Sequence, residues 1–240
     1  ISLLFLLAFS RLVVLRAEPS NMVSGNPQIF GDYYSLLARM ASEPLDSQIE
    51  NLQSYLQDHP TFERPYHQLV TVFLLNDQRE RAEQYFQSLR SQPAHHRNST
   101  WALAMIAASR DSHRVAFRLL EAILQRHEPT PYLLMEFAQY FRILDTATSF
   151  AAVLENLPLA AHHRHMALAF YYSGLGDFKQ CRSFLDRIPQ RDEFHLYALH
   201  MRAFISKSEG NEAQADSLFR EGLAEAQTRG DKQFYIHNLL

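Results

Sequence analysis

The chain has 240 residues, 47% of them hydrophobic and 20% charged, a balance that fits one or two folded domains and excludes a disordered polyelectrolyte. A net charge of -3 and a pI near 6.5 leave no basic footprint, so nucleic acid is not expected as a partner. The single cysteine, Cys181, excludes an intramolecular disulfide framework and a cysteine-built zinc site.

In chain order, the first predicted element is the apolar run Leu3 to Phe9, interrupted at Arg11 and resumed at Leu12 to Leu15. A membrane-spanning helix needs about 20 apolar residues, and an arginine near its centre costs roughly 2.5 kcal/mol or more. The core of a secretory signal needs only about 7 to 15. Residues 1–17 therefore read as a signal peptide cleaved after Ser10 or Ala17, with a membrane anchor as the alternative and as the only expected membrane contact. The expected location is exported: periplasmic or membrane-associated. Residues 18–29, with Ser24-Gly25-Asn26-Pro27, read as a turn-rich linker.

From Phe30 onward the pattern is helical. Tyr33, Leu36, Leu37 and Met40 keep helical spacing up to Pro44, and Ile49, Leu52, Tyr55 and Leu56 predict a second helix ending at His59-Pro60. Only seven glycines occur, and alternating β-branched runs bounded by turn residues are missing, which argues against sheet architectures. Beyond Pro60 the chain repeats. Small residues predicted in second helices stand at Ala82, Ala116, Ala147, Cys181 and Ala215, with spacings of 34, 31, 34 and 34. Leu69, Leu103, Leu134 and Leu168 keep the same spacings in the first helices, beside Val70, Ala104, Met135, Ala169 and Ala203. Phe86, Leu120, Ala151, Leu185 and Phe219 follow four residues after the small series, and Pro60, Pro93, Pro129, Pro158 and Pro189 punctuate the pairs.

This self-similarity resembles the tetratricopeptide repeat (TPR) over roughly Phe30 to Leu240. The residues that match its pattern best are Leu168-Ala169, Tyr172, Gly176-Asp177, Cys181 and Leu185, then Ala203, Gly210, Ala215 and Phe219. The family's frequent fourth-position tryptophan is replaced by Tyr66, Thr100, Pro131, His165 and Leu199, and the third pair is three residues short and lacks a turn glycine. The resemblance implies an all-α fold, a right-handed α-solenoid of stacked antiparallel helix pairs over 30–240. The apolar pattern of Phe234 to Leu240 carries no stop signal, so the array is expected to continue past it.

Several strings suggest chemistry. "AHHR" occurs at Ala94 to Arg97 and again at Ala161 to Arg164, 67 residues or two periods apart. His162 and His165 share a helix face, but zinc needs three or four convergent ligands, so solvated helix starts are expected and no metal is. Ser173-Gly174-Leu175-Gly176 is read as an intrapair turn rather than a nucleotide fingerprint. In the sequon Asn98-Ser99-Thr100, Ser99 or Thr100 is expected to cap a helix starting at Trp101. Arg229-Gly230-Asp231 is read as a helix end and the next start. No protease, hydrolase or Walker string is present and Cys181 is placed in the core, so neither enzyme activity nor a cofactor is expected.

Function then falls to the array's surface. In the family it resembles, partners lie along a concave face through the second, fifth, ninth, twelfth and thirteenth positions of each first helix. Carried onto this sequence, those positions give Arg64, His67, Thr71 and Leu74 in pair one, Trp101 and Met105 in pair two, and Tyr132, Glu136 and Tyr140 in pair three. Pairs four and five supply His163, Met166 and Phe170, then Tyr197, His200, Phe204 and Lys207. Charged second-helix residues such as Arg79-Glu80-Arg81 and Glu83 are expected on the outer surface. The family's lysine and asparagine clamp for chaperone carboxylates is absent, since His67 and Thr71 stand in its place. The reading is a protein- or peptide-binding scaffold, the exported part of a longer bacterial protein. The alternatives are the input domain of a membrane-bound regulator and a docking array for a downstream catalytic domain.

Overall fold

The computed structural model describes residues 27–144 and 147–229, and every regular element among them is helical. Residues 1–26 and 230–240 lie outside the described residues. The signal or anchor segment, most of the linker, and Gly230-Asp231 fall there. Helix α1 spans Pro27–Met40, three residues earlier than Phe30 and inside the expected linker. A proline suits a first helical position because its missing N–H would have no intrahelical partner there.

After α2 (Leu45–Asp58) come five helix pairs. Pair one is α3 (Arg64–Leu75) and α4 (Arg79–Arg90), and a 3-10 turn at Pro93–His95 leads to pair two, α5 (His96–Ala108) and α6 (His113–Leu124). Pair three is α7 (Pro131–Ile143) and α8 (Phe150–Glu155), pair four α9 (Ala161–Leu175) and α10 (Phe178–Leu185), and pair five α11 (His195–Ser208) and α12 (Glu212–Arg229). The chain divides at residue 127 into two compact units, one carrying α1 to α6 and the other α7 to α12. In the first, α3 packs on α2, α4 and α5, and α5 packs on α4 and α6. In the second, α9 packs on α7, α8 and α10, and α11 on α10 and α12. Within each unit the pairs stack in chain order, as a TPR-like fold requires.

Small residues make that stacking possible. Ala82, Ala104, Ala116, Ala169, Cys181 and Ala203 have no exposed surface, and side chains of that size let paired helices approach closely. Burial pushes the Cys181 thiol up to about 12, so it behaves as an inert core residue. The intrapair turns of pairs one, two, four and five each carry one left-handed residue. Gly176 (φ 74°) and Gly210 (φ 81°) supply it in pairs four and five, and Asp77 (φ 54°) and Asp111 (φ 57°) in pairs one and two. Aspartate tolerates this region because its short polar side chain bonds locally. Asp177 follows Gly176 and caps α10 by accepting from the Gln180 amide at 3.0 Å.

The third pair departs from the expected register. Met135, Ala147 and Ala151 are exposed, and Ala147 lies in the connection before α8 rather than in a helix. Phe137, Ala138, Phe150 and Leu154 are buried instead. The two series then run Leu103, Phe137, Leu168 and Ala116, Phe150, Cys181, so the 31-residue step follows pair three instead of preceding it. A phenylalanine takes the place of the small residue. Its ring packs 5.7 Å from Phe137 and 4.9 Å from Phe141, and α7 and α8 do not approach as closely as the other pairs.

Overpacking distinguishes the two registers. Ala138→Leu and Ala169→Leu should each cost about 1 to 3 kcal/mol, while Ala147→Leu should stay within about 0.5 kcal/mol. Urea unfolding of the three variants checks this; equal destabilisation by Ala147→Leu would restore the 34, 31, 34, 34 register.

Candidate partner-binding face

The first helices carry the expected contact positions, and the structure sorts them by depth. At the second position Arg64, His163 and Tyr197 are buried, and Arg64 donates to the Tyr34 hydroxyl. At the fifth, Trp101 and Met166 have no exposed surface. The Trp101 indole meets the His67 ring edge-on, with centroids 4.4 Å apart, and the Arg97 guanidinium lies 5.8 Å from the indole centroid. These side chains join successive pairs. His200 is half-buried beside Phe219 at 5.5 Å.

The ninth position is different. Thr71, Met105 and Phe170 are half-buried and Phe204 is 56% exposed. With pair three in its observed register, Gln139 takes the ninth position and Met135 the fifth, in place of Glu136 and Tyr132. Tyr132 and Glu136 are half-buried, whereas Tyr140 is buried, with its phenol pushed well above the usual range by burial and then by the nearby Glu136 carboxylate. Arg142, in the last turn of α7, donates to the Gly174 carbonyl.

The histidine strings lie at helix starts, as expected, but one histidine of each is buried while His96 and His162 stay half-buried. His95 and His163 are each 4% exposed. The copies are also out of phase: they stand 67 residues apart, against 65 between the equivalent crossing residues Ala104 and Ala169. His163 therefore matches Asn98, not His96 as the string alone would pair it. The Tyr66 hydroxyl donates to the Pro60 carbonyl at 2.8 Å, so His95 Nδ1–H is the donor across the 2.6 Å contact between them. Asn98 donates to the same carbonyl at 3.2 Å and is buried, which removes the sequon from the surface. Ser99 and Thr100 lie inside α5, which begins at His96, and Thr100 donates to the His96 carbonyl at 2.7 Å rather than capping. Among the described residues, no three His, Cys, Asp or Glu side chains converge as a metal-binding group.

A buried ion pair was not legible from these strings. Glu63, 2% exposed, accepts from Arg97 at 3.1 Å. The two residues stand 34 apart, and opposite charges one period apart are the signal that reveals such a junction. The second helices carry the exposed ions: Arg81 pairs with Asp46 at 3.2 Å, and Arg110 with Glu80 at 3.3 Å and with Glu83.

No protein-family model matches the chain, and no curated protein matches it. Among solved structures, the chain is similar to the crystal structure of YrrB, described as a TPR protein with an unusual peptide-binding site. The identity is 12% and the TM-score 0.36, over 78% of this chain and 96% of that one. The TPR-like description of this chain rests on its own helix pairs, crossings and turns.

Two buried histidines give a pH dependence. Burial, then the Arg97 and Arg64 charges, lowers His67 to about 3; burial, then neighbouring His162, lowers His163 to about 4, although Glu128 and Asp192 pull the other way. Both rings are neutral in the folded chain, and neither His163 nitrogen has a hydrogen-bond partner. The unfolded chain takes up protons first, near its ordinary 6.5, so their contribution is complete above that pH and is lost as pH falls toward 4. The melting temperature should therefore drop between pH 6.5 and 4. In His163→Leu the drop should be shallower; an identical profile would remove His163 from the account.

Proposed function

We propose that the helix pairs form a protein- or peptide-binding module that contacts its partner through the ninth-position side chains of the first helices. The observation that carries this reading is the partial exposure of Met105, Phe170 and Phe204 at one repeat position, while their fifth-position neighbours Trp101 and Met166 are buried. Methionine and aromatic side chains supply large, adaptable contact area. The second helices carry ion pairs in its place. No catalytic role is assigned, since the one thiol is buried and its protonated form is favoured.

Truncation separates contact from packing. Phe204→Ala and Phe170→Ala should each weaken partner capture about tenfold or more with little change in melting temperature, and Arg79→Ala should leave capture unchanged. Trp101→Ala should instead destabilise the fold by about 3 to 5 kcal/mol. Pull-down quantified by mass spectrometry, with a thermal melt of each variant, reads both effects. Capture that survives the two phenylalanine variants would sink the reading.

The same reading places the module outside the cytosol, supported by the apolar run Leu3 to Phe9 ahead of Arg11. No helix among the described residues is long and apolar enough to cross a membrane. Expressed from its full gene in a bacterium, the protein should lose the residues up to Ser10 or Ala17, as N-terminal mass spectrometry would show. An intact N-terminus in the membrane fraction would favour the anchor instead.

A further inference from the structure

A cleft of about 190 Å³ opens in the second unit beside the second helices, away from the ninth-position side chains. Its origin is a change in side-chain size. Ala151 of α8 stands one 34-residue period after Phe117, which is buried in α6, and the smaller residue leaves the space open. The half-buried Phe184 ring gives the cleft its accessible apolar surface, and the buried Leu154 and Leu168 line it beneath. Arg164 and Arg187 stand at its rim, and no carboxylate lies within ion-pair distance of either among the described residues. The Arg187 guanidinium sits 5.1 Å from the Phe184 ring centroid, which holds its charge over the floor. Glu155 is the one acid in the lining.

This volume is below the roughly 300 Å³ at which small-molecule sites usually begin and is nearer to one large side chain. Two unpaired guanidinium groups beside an apolar floor favour carboxylates, which arginine binds in a bidentate fork. We propose that the cleft docks an acidic peptide segment, seating one aliphatic or aromatic side chain against Phe184 and Ala151 while the flanking carboxylates pair with Arg164 and Arg187. A basic segment would leave both arginines facing like charge.

The test is fluorescence anisotropy of the full chain with a labelled peptide, Gly-Asp-Glu-Leu-Glu-Asp-Gly. Saturable binding is expected, weakened at least tenfold in the double variant Arg164→Glu, Arg187→Glu and when the peptide's leucine is replaced by alanine. Ala151→Trp fills the cleft without changing its charge and should weaken binding equally. Ala151 is exposed, so the variant's melting curve should match the unaltered chain, and the arginine variant stands as the test if it does not. Phe204→Ala should keep full affinity, which separates this site from the first-helix reading. No binding of the peptide, equal binding by the arginine variant, or binding to phosphatidylglycerol vesicles without peptide binding would each overturn the proposal.

Discussion

How near two helices come is set by the side chains at their crossing, and in this chain that distance governs the rest. Ala104 and Ala116, Ala169 and Cys181, and Ala203 and Ala215 lie in paired helices with at most 2% exposure. Close backbones bring the larger neighbours into one layer, so Leu120 and Leu185 are fully covered four residues after the small position. The tight approach also demands a sharp reversal, which is why a left-handed residue recurs in the turns at Asp77, Asp111, Gly176 and Gly210. Where the small residue becomes Phe150, aromatic packing with Phe137 and Phe141 replaces close approach.

The junctions of the first unit use polar groups that bond to one another, as groups withdrawn from water usually do. In the first unit, Pro60 offers one carbonyl that accepts from both Tyr66 and Asn98, and Glu63 meets Arg97. Glu63 and Arg97 thereby tie the start of pair one to pair two, one period apart. Such bonds lose their partners if the pairs stack in a different order, so they specify the order of stacking more than they add to its strength. His163 is handled otherwise: its ring stays neutral against Phe194, with centroids 5.0 Å apart.

The helices, their pairing and most crossings were legible because steric periodicity is local and repeats. The third pair misled for a specific reason. Leu134 is buried and fits the 31-residue step, and Ala147 offers a small residue at the matching place, although it lies in a connection. Nothing local marks Phe150 as the crossing residue. The contact positions were legible only in part, because the family's pattern gives a side chain's place along a helix and not its depth. Trp101 is covered because His67 and Arg97 converge on its ring. Phe204, at the ninth position, lies 56% exposed. The doubled histidine string misled in the same way, since its two copies are two residues out of phase with the fold.

Depth is what separates packing from recognition on these helices. A buried aromatic side chain already gains its transfer free energy within the chain, and a partner can add little to it. A side chain such as Phe204, left 56% exposed, retains most of that gain for a partner to realise. The exposed ion pairs of the second helices have no such reserve, because solvent screens them and their removal changes little. On the proposed reading, binding energy lies where apolar area remains uncovered next to ordered neighbours: at the ninth position of the first helices, and at the half-buried Phe184 ring beside two arginines.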